Sequence, residues 1–525
     1  MLLTFVGLAI ADEKGAHEKA ADEKAADEKA DEKKSAEQLW FGTLNAGDVK
    51  LRLLVKLMPA DKGVRGVLVS VDQGKAEIPL DEIVLDTKRL KLRVTTIKAV
   101  YDGELNSSGT EVKGTWTQLG RSMKLTLRRV EKIPEPPQPT RRNRPQTLKP
   151  PFPCRSDHAK VEITQEGAAP IKRPTSDVDS VANRLSMLVP KLRSEKKLIG
   201  LAAMIMVDGK VLASAVDGER KLGSGISLEI GDRWHLGSIT KSVTATMIAR
   251  LVEQKLLTWT TSVGECFEES MSLHADWQDV RLEQLLTHSS GAPANFSLLF
   301  QLNRSPEGDK RVKSRKHAVS TVLTNKPQSE PGSSFAYSNV GFTIAAAMAE
   351  EKTGTPWEEL VRKEVFAPLN LASAGFGPPK DGAERLDEPR GHQKLGPLKR
   401  AVGVSADNTP IIGPAGSVHM TLAELCAFGN EHLQGERGTG TLLTAKTYRR
   451  LHTPELKNYA YGWVVPTESE WSDESILWHN GSNTMWYAML VLIPNRKAVV
   501  AVTSNDGDIK SAEAAAIEIV KDFAK

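Results

Sequence analysis

The chain has 525 residues, 40% of them hydrophobic, with a formal net charge of +4. That length exceeds one compact domain, so two or more are expected. So small a charge excess gives no reason to invoke nucleic acid or an acidic membrane surface as partner, and no uninterrupted apolar run is long enough to span a bilayer.

Residues 1–11, ending in Ala9-Ile10-Ala11, read as a truncated secretory signal, an apolar run with a small-residue cleavage site but no basic start. Export to a periplasmic or extracellular location is the corresponding expectation. Residues 12–37 repeat Ala-Asp-Glu-Lys. Without an apolar stripe to bury, they read as a charged spacer.

From 38 to 132 the hydrophobic period is two, as in Lys88-Arg89-Leu90-Lys91-Leu92-Arg93-Val94 and Met123-Lys124-Leu125-Thr126-Leu127-Arg128. Turn signals such as Asn106-Ser107-Ser108-Gly109 separate these runs, which predicts a small all-β barrel or sandwich. Tyr101 and Trp116 are assigned to its core or rim. Nothing in it has catalytic spacing, so it reads as an accessory domain. Residues 133–154 are rich in proline and form a semi-rigid linker. The three cysteines, Cys154, Cys266 and Cys426, have no metal-like spacing, and no metal or cofactor is implied.

Residues 155–525 are long enough for an enzyme core. The spacing predicts a helix over 177–193, then strands Leu201–Val207 and Lys210–Ala215 joined through Asp208-Gly209, a strong hairpin signal. Near the end, 486–493 and 498–503 read as strands and 512–523 as a closing helix. Strands at both ends with helices between predict an α+β fold, an antiparallel sheet whose terminal strands pair against a helical layer.

Within it, Ser238 and Lys241 lie in His235-Leu236-Gly237-Ser238-Ile239-Thr240-Lys241, where a loop passes into an apolar helix. Their i, i+3 spacing places them on one helical face, and a helix N-terminus favours developing negative charge. A serine hydroxyl needs a neighbouring base to become a nucleophile. The copy at Ser194 and Lys197 lacks a helix start and an apolar stripe. After Ser238, Val243, Met247, Ile248, Leu251 and Val252 supply one.

Ser238-x-x-Lys241 resembles the first signature of the serine beta-lactamase and penicillin-binding protein superfamily, in its class C, esterase and D-aminopeptidase-like branch. Tyr337-Ser338-Asn339 resembles the second signature, and His479-Asn480-Gly481 is similar to the His-x-Gly variant of the third. Leu285-Leu286-Thr287-His288-Ser289-Ser290-Gly291 and Gly413-Pro414-Ala415-Gly416-Ser417 fit further segments of that branch. The order and spacing agree over most of 180–510, and the first 150 residues lie outside the resemblance.

The resemblance implies a beta-lactamase/transpeptidase-like fold and acyl transfer through a Ser238 acyl-enzyme. Lys241 or Tyr337 would be the base, with the Lys241 ammonium expected to lower the phenol's pKa. The backbone N–H groups of Ser238 and Ser482 would form the oxyanion hole, Gly481 would allow close approach of substrate, and Asn339 would hold Lys241 or a substrate amide. His235 and His288 read as structural. His479, where many members carry lysine, would anchor a substrate carboxylate weakly. The expectation is therefore a small-molecule ester, amide or peptide substrate, with esterase or D-amino-acid peptidase-like activity ahead of beta-lactam hydrolysis. A penicillin-binding sensor that is acylated and turns over slowly is the alternative.

Overall fold

The computed structural model describes residues 37–132 and 175–524, apart from 47–48, 61–62, 71–76, 96–98, 119–120, 302, 381–385 and 397. The expected signal, the spacer up to residue 36, the proline-rich linker and Cys154 lie outside the described residues. Two compact units are present: one contains the chain up to Glu135 with Ser297–Leu302, the other the remainder.

The first unit is a nine-stranded antiparallel sheet. Its strands are β1 (Gln38–Ala46), β2 (Val49–Pro59), β3 (Val64–Ser70), β4 (Glu77–Pro79), β5 (Glu82–Leu85), β6 (Arg89–Val94), β7 (Ala99–Leu105), β8 (Glu111–Gln118) and β9 (Arg121–Val130). The spatial order is β4-β3-β2-β1-β9-β8-β7-β6-β5. The two edge strands are therefore consecutive in sequence and joined only by Leu80 and Asp81. A sheet whose edges are tied by so short a link must curl round on itself.

Period-two alternation explains its interior. Leu90, Leu92 and Val94 of β6 are buried, each stabilising the fold by about 1.5–3 kcal/mol. The intervening Arg89, Lys91 and Arg93 point outward to Asp102 and Glu82, exposed pairs worth little individually. Tyr101 and Trp116 are core residues, and the Asn106 carboxamide accepts the Thr110 and Glu111 N–H groups to shape the β7–β8 turn.

The second unit begins with α1 (Thr175–Glu195), β10 (Gly200–Val207) and β11 (Lys210–Gly218). Asp208 and Gly209 both have positive φ, 51° and 76°, as a two-residue hairpin turn of matching twist requires. There follow α2 (Thr240–Glu253), α3 (Asp309–Leu323), α4 (Asn339–Thr353) and α5 (Leu422–Glu436). The C-terminal block is β12 (Leu477–Ser482), β13 (Tyr487–Ile493), β14 (Ala498–Ser504) and α6 (Ile509–Ala524).

The main sheet runs β11-β10-β14-β13-β12. The N-terminal β10 pairs with the C-terminal β14 from Ala202↔Thr503 to Val207↔Ala498, as expected for an α+β sheet with paired termini. One face packs on α1 and α6 through Leu185, Val189, Leu192, Ala515, Ile519 and Val520. The edge strand β12 borders the site.

Helix α2 departs from the expected one-sided stripe. Residues 240–249 are all buried, so polar residues on its other faces bond inward: Ser242 Oγ donates to Gly462 O (2.6 Å) and Thr244 Oγ1 to Pro414 O (2.7 Å). In the helical layer Arg315 of α3 is fully buried between Glu350 and Glu358. The Cys266 and Cys426 thiols are free and buried, and burial raises their pKa values to about 11 and about 12, so neither is poised as a nucleophile.

Candidate active site

Ser238 lies in a single 3₁₀ turn, Gly237–Ile239, and α2 proper starts at Thr240, slightly later than the sequence suggests. In a 3₁₀ turn residues i and i+3 eclipse. The Lys241 ammonium position therefore falls directly beside the hydroxyl, with Nζ 3.0 Å from Ser238 Oγ. The copy at Ser194 and Lys197 sits at the end of α1, and Lys197 has left the helix with φ 54°.

Lys241 is buried and its three polar partners are all neutral. Nζ donates to Asn339 Oδ1 (2.7 Å) and Ala415 O (2.9 Å), and its third neighbour is Ser238 Oγ. Burial without a counter-charge pushes the amine well below its usual pKa of 10.5. A neutral amine has two N–H donors and one lone pair. In that form both donors would go to the two carbonyl oxygens and the lone pair would be left for the Ser238 hydroxyl. The Gly413–Ser417 segment thus supplies a carbonyl that fixes the lysine, a role its sequence did not announce.

Tyr337 is 39% exposed, its ring facing the cleft, and Lys241 Nζ lies 4.7 Å from the ring centroid. Its pKa is pushed up to about 12 by burial of the hydroxyl, opposed by a hydrogen bond with Ser238. This corrects the expectation that an ammonium lowers it: burial penalises both charged forms together. Asn339 opens α4, and its amide is oriented by donating from Nδ2 to Asn295 Oδ1 (2.8 Å).

His479, Gly481 and Ser482 lie on β12. Trp478 exchanges both backbone bonds with Val464 on the strand's outer side. By strand periodicity, Asn480 and Ser482 present their backbone groups to that same edge. A Cβ on Gly481 would lie 2.0 Å from Leu236 O and 2.4 Å from Ser238 N, and one on Gly237 would lie 2.2 Å from Ser482 N. Only glycine at both positions lets the Ser238 and Ser482 N–H groups approach one another.

His479 is buried, and its pKa is lowered to about 3, by burial first of all. Nδ1 contacts Asn480 O and Nε2 is 3.2 Å from Tyr459 Oη. A neutral ring donating from Nδ1 and accepting at Nε2 has no N–H left for a substrate carboxylate. Tyr459, absent from the sequence reading, is the partner that fixes this state. His288 accepts the Ser338 N–H at Nδ1 (3.1 Å), and its ring packs at a tilt against Tyr337, centroids 4.4 Å apart.

These groups border one cleft of about 300 Å³, lined by Ser238, Tyr337, His479, Gly481 and Ser482 together with Phe335, Tyr459, Val464, Asn480, Tyr487 and Ile509. Among the described residues, none of those lining it is an acid, a lysine or an arginine. No cluster of metal-ligating side chains occurs among the described residues, and no described helix is long and apolar enough to cross a membrane.

Comparison with known proteins gives the site its context. Penicillin-binding protein 4 of Amycolatopsis lactamdurans is 25% identical over 336 residues, covering 60% of this chain and 83% of that protein. Esterase EstB of Burkholderia gladioli is 26% identical over 207 residues, 38% of this chain and 53% of the esterase, so the match spans about half of EstB. The D-amino acid amidase of Ochrobactrum anthropi SV3 superposes with a TM-score of 0.53 at 18% identity, covering 66% of this chain and all of that one, a likeness of fold. The Beta-lactamase family model matches residues 185–523. The chain belongs to the beta-lactamase family of serine hydrolases.

Proposed function

We propose that the protein hydrolyses a neutral ester or amide through an acyl-enzyme on Ser238. The observation that carries this is the buried Lys241 side chain, whose Nζ lies 3.0 Å from Ser238 Oγ and donates to Asn339 Oδ1 and Ala415 O, so that in the neutral amine the lone pair is left for the serine hydroxyl. Lys241 takes the hydroxyl proton as Ser238 attacks the carbonyl carbon. The developing oxyanion is received by the Ser238 and Ser482 N–H groups, and donors so placed account for several kcal/mol of barrier lowering. Tyr337 remains a phenol, hydrogen-bonded to Ser238, and hands a proton to the leaving group while Lys241 replenishes it. Water then cleaves the acyl-enzyme by the reverse proton path. In this reading Asn339 positions Lys241, and Gly481 leaves room for substrate.

The substrate class follows from charge. A neutral His479 with both nitrogens engaged, in a cleft lined by Phe335, Tyr337, Tyr459 and Val464, supplies no cation to pair with a carboxylate. That favours esterase or D-amino-acid peptidase-like activity over efficient beta-lactam hydrolysis, in keeping with the esterase and amidase among the similar proteins. The test is a panel of nitrophenyl esters, D-alanyl amides and nitrocefin, with mass spectrometry of the mixture. Turnover of ester or amide that is abolished in Ser238→Ala and kept in Ser194→Ala is the expected result. A persistent adduct with negligible turnover assigns the protein to the penicillin-binding sensor class instead. Full activity in Ser238→Ala overturns the mechanism. Export is proposed on the signal-like residues 1–11, and appearance of the processed chain outside the cytoplasm of an expressing cell tests it.

A further inference from the structure

The two N–H groups of the oxyanion hole belong to different elements, the 3₁₀ turn before α2 and the end of β12. Their separation must be held to a few tenths of an ångström for both to reach one oxygen. We propose that Asp407 is a positioning residue that clamps these two elements together. This rests on the acyl-enzyme reading above.

On one side stands His235, fully buried. Its Nδ1 accepts the Gly237 N–H at 3.1 Å, so the neutral ring carries its hydrogen on Nε2. That atom lies 3.0 Å from Asp407 Oδ1, close but off the line of an ideal hydrogen bond. On the other side stands Asn483, buried and adjacent to Ser482. Its Nδ2 donates to the same Asp407 Oδ1 at 2.8 Å. Asn483 Oδ1 in turn accepts the Met485 and Trp486 N–H groups at 3.3 and 3.2 Å, which shapes the β12–β13 turn. The two arms meet again where the Trp486 ring stacks on His235 at 5.6 Å.

One carboxylate oxygen thus reaches His235, whose ring accepts the N–H of Gly237 next to Ser238, and Asn483, next to Ser482. Asp407 also receives its own neighbour's amide, Asn408 N, at 2.7 Å, which fixes the carboxylate. Asp407 is not among the residues lining the cleft around Ser238, and the clamp runs through His235 and Asn483. Nothing in the Ser-x-x-Lys, Tyr-x-Asn or His-x-Gly segments requires it.

The experiment compares wild type with Asp407→Asn, Asp407→Ala, Asn483→Ala and the Asp407→Ala/Asn483→Ala double variant. It measures kcat and KM on a nitrophenyl ester, melting temperature, and the inhibition constant of an aryl boronic acid that becomes tetrahedral on Ser238. Wild type is first treated with a covalent phosphonate and mapped by mass spectrometry. A label anywhere but Ser238 overturns the acyl-enzyme reading itself.

With Ser238 labelled, Asp407→Ala is expected to lose about tenfold to a hundredfold in kcat, with KM within threefold and boronate affinity weakened by the same factor as kcat. Asp407→Asn loses less, because its amide retains one of the two contacts. The double variant loses no more than the worse single variant, since the two residues form one clamp. A folded Asp407→Ala with kcat and boronate affinity within twofold of wild type overturns the proposal. So does a loss confined to KM, or a lowered melting temperature with unchanged boronate affinity. If the alanine variant does not fold, Asp407→Asn decides by the same criteria.

Discussion

His288 holds Tyr337 from both flanks. Its backbone oxygen accepts the Ala336 N–H at 2.8 Å and its ring nitrogen accepts the Ser338 N–H at 3.1 Å, bracketing the tyrosine, while the ring itself lies tilted against the phenol ring, centroids 4.4 Å apart. His288 does this from a left-handed backbone conformation, φ 59°, which asparagine tolerates better than most residues. Asparagine's side-chain oxygen can also accept the Ser338 N–H. His288→Asn is therefore expected to keep kcat within about threefold, whereas His288→Leu strands that buried N–H at about 1–3 kcal/mol and lowers kcat about tenfold. Steady-state kinetics beside melting curves check this, and equal activity in both variants would detach His288 from Tyr337.

The pH profile should carry the signature of a neutral lysine. Burial lowers the Lys241 pKa well below 10.5, so kcat/KM rises with pH through an acid limb as the amine loses its proton. Tyr337, raised to about 12, stays protonated through the alkaline range, and the rate holds level up to about pH 10. A fall in rate near pH 9 that disappears in Tyr337→Phe would contradict this assignment.

Acid should destabilise the fold through its buried imidazoles. His479 has its folded pKa lowered to about 3 and His419 to about 4, against an ordinary 6.5. Between about pH 6.5 and these lower values the unfolded chain binds more protons than the folded one, so stability falls as pH falls. At pH 4.5, His479 alone accounts for a loss of about 2–3 kcal/mol relative to neutral pH. Urea melts of wild type and His479→Gln at pH 7.5 and 4.5 measure it, and the variant should lose less between the two.

Arg315 should be the most sensitive position of the helical layer. Its guanidinium is fully buried, donating from Nη2 to Glu358 Oε1 at 2.7 Å and from Nη1 to Glu350. Arg315→Ala leaves two buried carboxylates facing each other and is expected to destabilise the fold by about 3–5 kcal/mol. Arg315→Met combined with Glu350→Gln and Glu358→Gln should recover part of that loss, as read from the denaturation midpoint.

Much of the site was legible because its residues come in short segments whose order survives in the sequence. Ser238, Lys241, Tyr337, Asn339, Gly481 and Ser482 do converge. What could not be read are properties that arise only on folding. The protonation state of Lys241 depends on its burial and on a carbonyl 174 residues away, and the raised pKa of Tyr337 follows from the same desolvation. Tyr459 and Asp407 sit in segments without a motif, where long-range contacts alone give them a role. The period-two signal located the strands of the first unit, while the choice of a curled sheet over a sandwich depended on β1 pairing with β9, a contact between the ends of that unit. The stripe on α2 was real but incomplete, since its polar residues are also buried.

The pairing of β10 with β14 has a consequence for biosynthesis. Gly200 receives the Ser504 hydroxyl, and Ile199 N donates to Asp506, so the central ladder joins residues some 300 positions apart. Such non-local contacts form late. While the ribosome is still making the last strands, the turn bearing Ser238 has no β12 against which to set its oxyanion donors. On the proposed mechanism the nascent chain is expected to be inactive until β12 is in place, and a product truncated before β12 would carry Ser238 without the second oxyanion donor.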